Sequence, residues 1–210
     1  MKALYCIIFL SLLTFVSIGQ TFIRLTDEAP DTFAKRIFKV EKLEYRIIET
    51  NEWDANKKII ICFFEFQNAA DRGILGFLLT PIEGQKYQQI FIDSFNVSGG
   101  IGSVSIETVF FANTDNDKAR EIIITTKAEI RPPRYSGINI QGYFYDNYFY
   151  DNYNLTFPPI ALTKFVKLND EFSDFEGTTY DNETGKVKKK EKSKYKDPKA
   201  IGLKLKKMGY

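Results

Sequence analysis

The sequence predicts a mainly β chain, a β-rich α+β fold built as an antiparallel meander sheet or a sandwich, with a short N-terminal helix and an amphipathic C-terminal helix. Three observations predict it. From Val40 onward the chain breaks into short runs of Ile, Phe, Tyr, Val and Thr separated by polar or glycine-containing stretches, the composition of strands. The connections Gln67 to Arg72, Pro81 to Gln85 and Asn113 to Ala119 are too short to hold a crossover helix, so successive strands pair antiparallel. The last fourteen residues carry the stop and start signals of a helix.

In chain order, Asp31 is placed to cap a helix over Thr32 to Phe38, with Phe33, Ile37 and Phe38 on its apolar side. Strands are expected near 40–49, 57–66, 73–80, 86–95, 102–112, 120–129 and 137–145. Ile59 to Phe64 is apolar on both faces and reads as a strand covered on each side. Asn182-Glu183-Thr184-Gly185 suits a hairpin turn between the segment Gly177 to Tyr180 and a lysine-rich strand. Asp197 then caps a final helix, Pro198 takes its first position, and Gly209 ends it. Ile201, Leu205 and Met208 form one stripe, so that helix is expected to dock on the body.

Residues 1–19 read as a cleavable signal peptide: Lys2, the apolar run Ala3 to Ile18, and small Ser17 and Gly19 before a cleavage site at Gln20. The organisation expected is therefore 1–19 signal peptide, 20–185 β-rich body, and 186–210 lysine-rich segment and docked helix. An exported, periplasmic or extracellular chain with no transmembrane span follows. With Cys6 removed, Cys62 is left alone in an apolar run, so stability rests on packing and not on a disulfide.

The chain has no histidine. That excludes Ser-His and Cys-His nucleophiles and histidine-ligated zinc or haem, while leaving carboxylate-pair and Ser-Lys chemistry open. Charge is divided: residues 20–185 carry 17 basic and 25 acidic groups, whereas Lys186 to Tyr210 holds eleven lysines against Glu191 and Asp197. An acidic body with a basic end suits an envelope polysaccharide or another exported protein as partner, and no nucleic acid.

Two segments carry candidate chemistry. Asn113, Asp115, Asp117 and Glu121 place oxygen side chains at alternate positions of a tight inter-strand loop, a ring suited to a structural Ca²⁺. Residues 109–124 resemble the Asp-rich hairpin of FG-GAP and VCBS repeats, with Asn113 where that pattern has a carboxylate and Lys118 where it has glycine. The motif occurs once, without the ~40-residue period of a propeller. The same hairpin, together with the ending Lys206-Lys207-Met208-Gly209-Tyr210, is similar to small exported bacterial proteins of unknown function.

The second segment is the direct repeat Tyr143-Phe144-Tyr145-Asp146-Asn147 and Tyr148-Phe149-Tyr150-Asp151-Asn152. If Asp146-Asn147 turns the chain, Tyr143, Tyr145, Tyr148 and Tyr150 form a tyrosine ladder on a hairpin, suited to stacking on sugars or planar ligands. Cross-strand packing is the alternative use of the same rings. The function expected from the sequence is a non-enzymatic binding or envelope-associated scaffold. A carboxylate-dependent hydrolase acting on carbohydrate is the alternative.

Overall fold

The computed structural model describes residues 19–53, 55–67, 72–96, 103–115, 119–130, 139–153 and 157–210. Residues 1–18 of the expected signal peptide, and Asp117 of the expected calcium loop, lie outside them. Among the described residues no helix is long and apolar enough to cross a membrane.

The strands form two five-stranded antiparallel sheets. The first contains β1 (Thr21–Ile23), β2 (Ile48–Thr50), β3 (Ile59–Gln67), β4 (Arg72–Glu83) and β5 (Lys86–Asn96) in the order β1-β5-β4-β3-β2. The second is a pure meander of β6 (Val104–Ala112), β7 (Glu121–Ile130), β8 (Ile140–Tyr150), β9 (Asp174–Tyr180) and β10 (Val187–Glu191). Among the described residues there are three helices: α1 (Pro30–Phe38), α2 (Val166–Phe172) and α3 (Pro198–Met208).

The alternation along each strand explains the layering. Ile59, Ile61 and Phe63 of β3 meet Ile122, Ile124 and Tyr150 of the second sheet in one core between the sheets. The opposite side chain, Ile60, packs with Leu79 and Tyr87 beneath Phe33 of α1. On the far side, Ile123 and Phe149 are covered by Leu168 and Phe172 of α2 and by Ile201 and Leu205 of α3. The fold is thus a β-sandwich with helices on both outer faces. The apolar run Ile59 to Phe64 is buried throughout because β3 has a sheet on one side and a helix on the other. Each such buried side chain contributes about 1.5–3 kcal/mol relative to exposure.

Gly142 and Gly177 face each other where β8 meets β9, and a Cβ on Gly142 would collide with the Glu176 carbonyl oxygen. The C-terminal signals act as the sequence predicts. Asp197 accepts a hydrogen bond from Ala200 N at 2.9 Å, Pro198 opens α3, and Gly209 closes it at φ 97°. Asp181 caps the preceding turn by accepting from Thr184 N at 2.8 Å, and β10 lies on the sheet edge with its lysines in solvent.

Three expectations are corrected. Asp31 is not the cap of α1. The helix starts two residues earlier at Pro30, with Ala29 as N-cap, because proline's fixed φ suits the first helical position. The strand expected over 40–49 shortens to Ile48–Thr50. Glu44 N donates to Phe63 O at 2.8 Å, and regular pairing with β3 begins only at Ile48. The hairpin expected at Asp146-Asn147 is absent: β8 runs through both residues to Tyr150. No glycine stands there to take the left-handed turn conformation, and both residues hold ladder positions opposite Thr126 and Thr125.

Candidate functional site

The register of the second sheet assembles the site. Ala112 pairs with Glu121 across β6 and β7, and the last pair of β7 and β8 is Ile122 with Tyr150. One step further puts Asp151 opposite Glu121, at the end of the sheet where the 113–115 loop turns over. Carboxylate oxygens of Asp115, Glu121 and Asp151 consequently lie within 4.8 Å of one another.

Glu121 is fully buried and is the anchor. Its Oε2 accepts from Thr114 N, and its Oε1 accepts from Asn152 Nδ2 at 3.2 Å. Burial pushes its carboxyl above the usual range; the hydrogen bonds from Thr114 and Asn152 oppose this, and the neighbouring Asp115 charge adds to it. Thr114 is 3% exposed, and its hydroxyl makes no hydrogen bond although it lies close enough to influence Glu121. Three carboxylates gathered around the buried Glu121 position, with a neutral oxygen beside them, repel one another unless a proton or a cation intervenes. An all-oxygen donor set of this kind suits a hard divalent ion.

The loop is held from both sides. Asp115 N donates to Asn113 Oδ1 at 3.2 Å, so the Asn113 side chain closes the turn. From the edge of the first sheet, Trp53 Nε1 donates to Arg120 O at 2.5 Å, and Glu52 pairs with Arg120 at 2.7 Å. Trp53 also sets its ring edge-on to Phe111 and Tyr153, which makes it a packing residue.

No protein family, curated protein or solved structure matches this chain. The site is therefore read from its own chemistry.

Of the four expected loop ligands, the structure brings Asp115 and Glu121 together, turns Asn113 into the loop's own backbone, and does not describe Asp117. Asp151 was missed because it sits thirty residues on, in the tyrosine repeat. The signal that could have found it is the pairing of β7 with β8, which sets positions 121 and 151 side by side.

The four tyrosines are not brought together. Tyr143 and Tyr145 point to one face of β8, while Tyr148 and Tyr150 point to the other, because side chains alternate along a continuous strand. Tyr145 and Tyr150 are buried. Tyr150 OH donates to Asp93 Oδ2 of β5 at 2.6 Å, and Lys164 also pairs with that carboxylate, pinning one sheet to the other. Burial pushes the Tyr148 hydroxyl up to about 12, and that of Tyr150 further still. Cys62 is equally inert: it is free, buried and pushed up to about 12 by desolvation.

Proposed function

We infer that the chain is an exported, non-enzymatic binding or envelope-associated scaffold, a β-sandwich whose acidic cluster takes a structural divalent cation, calcium by preference. The observation that carries the cation reading is the convergence of Asp115, Glu121 and Asp151 within 4.8 Å around a carboxylate with no exposed surface. Both Glu121 oxygens already accept hydrogen bonds, which favours an anchoring role over the acid or base of a carbohydrate hydrolase. The export half rests on the signal-like residues 1–19. The lysines of β10 and α3 offer a basic face for an anionic envelope polymer.

Thermal melting in chelator and in millimolar calcium tests the cation. A ligand present at a hundred times its Kd and bound only by the folded chain stabilises it by about 2.7 kcal/mol. Calcium should raise the melting temperature of the wild type and leave Asp151→Asn unmoved. An unmoved wild type overturns the cation. Intact mass of the exported protein tests the rest, with loss of residues 1–19 expected.

A further inference from the structure

Beside the acidic cluster lies an open cavity of about 590 Å³, framed by Thr114 and Asp115, the start of α2, and the end of α3. Its size falls within the roughly 300–1,000 Å³ of small-molecule sites. Part of its wall is apolar. Val166 is 62% exposed, Met208 39% and Tyr210 42%, and all three border this one concavity with Leu168 behind them. Apolar groups gathered in one concave patch mark a binding surface where the same groups scattered would not.

The charges around that wall decide what fits. Asp115 is held in its carboxylate cluster, Lys164 pairs with Asp93, and Glu171 pairs with Lys204 at 2.7 Å. Among the described residues the remaining charged group of the lining, Lys167, makes no ion pair. An ammonium without an ion-pair partner, whose charge acts on Glu171 one helical turn away, therefore stands beside an apolar trough. The geometry points to a small amphiphile with one anionic head, a carboxylate or phosphate monoester. The head meets Lys167, and the apolar body lies along Val166, Met208 and Tyr210. Asp115 borders both the trough and the acidic cluster, whereas Lys167, Val166, Met208 and Tyr210 belong to the trough alone.

Isothermal titration of the chain in chelator, with probes kept below their micelle concentrations, tests it. Decanoate and decyl phosphate should each bind saturably at one site, at least about tenfold tighter than decyl alcohol or decyltrimethylammonium. The pair tells carboxylate from phosphate preference. Val166→Asp with Met208→Asp should abolish binding of both, while an unchanged near-ultraviolet signal from Trp53 confirms the fold. Lys167→Met should bring the anionic probes down to the affinity of the alcohol. Absence of saturable binding, equal binding of the cationic probe, or wild-type binding by the folded double variant would each overturn the proposal.

Discussion

The two copies of Tyr-Phe-Tyr-Asp-Asn are identical in sequence and opposite in fate. The first, 143–147, lies wholly within β8; the second, 148–152, runs off its end. A repeat of five residues in a strand of period two turns every side chain to the other face at the second copy. Asn147 is consequently buried under the helices. It accepts from Thr125 Oγ1 at 2.6 Å and donates to the carbonyls of Phe172 and Tyr195 at 2.9 and 2.8 Å. Asn152 instead donates to Glu121, and Asp151 joins the acidic cluster. A polar pair in mid-ladder is consumed by the core, whereas the same pair past the last ladder position is available to a site.

The largest test sets the two asparagines against each other. Asn147→Ala strands the buried Phe172 carbonyl, the half-buried Tyr195 carbonyl and the buried Thr125 hydroxyl, and should cost about 3 to 5 kcal/mol in urea unfolding. Asn152→Ala removes a hydrogen bond to the Glu121 carboxylate at the sheet end and should cost less, about 1.5 to 3 kcal/mol. Equal costs would break the contrast.

The tyrosines give a second, smaller contrast. Tyr150→Phe removes a hydrogen bond to a charged carboxylate that joins the two sheets, worth about 1.5 to 3 kcal/mol. Tyr143 is half-buried, with Lys127 Nζ 4.2 Å from its ring centre, and Tyr143→Phe should leave stability within about 0.5 kcal/mol of wild type.

This contrast also marks how far the sequence could be read. The strand runs, the short connections and the Asp197, Pro198 and Gly209 signals are local, and each reappears in the fold, the 40–49 run only as Ile48–Thr50. The two layers could not be read: which face of β8 meets α2 depends on pairing partners far along the chain. Val166–Phe172 escaped because Val166-Lys167-Leu168 also reads as a strand, and its helix is held by contacts of Leu168 and Phe172 with Phe149. Two of the three acids of the cluster were legible for the same reason. Asp115 and Glu121 share one loop, while Asp151 arrives through sheet register.

Within the site, Glu121→Gln separates the cost of the buried charge from its use. In chelator at neutral pH the neutral amide should raise the melting temperature, because desolvation penalises the carboxylate it replaces, while the gain from calcium should vanish. A variant that melts lower in chelator would show that the hydrogen bonds from Thr114 and Asn152 outweigh the desolvation.

The smallest effect compares the acids of the two copies by pH. Asp146 is half-buried in β8, and desolvation raises its pKa, partly offset by the Ser173 hydroxyl. A carboxyl whose folded pKa is raised contributes stability that is full below its unfolded pKa and is lost as pH rises through the folded one. Asp146→Asn removes that loss. In chelator, wild type and Asp146→Asn should therefore diverge in urea midpoint as pH climbs out of the carboxylate range, with the variant the more stable at neutral pH and the gap fixed above it. Calcium should leave this gap unchanged, since Asp146 lies outside the carboxylate cluster, whereas it should shift the gap between wild type and Asp151→Asn in favour of the wild type. A calcium-sensitive gap at Asp146 would mean that the two copies share one electrostatic site, and the distinction drawn from strand position would fail.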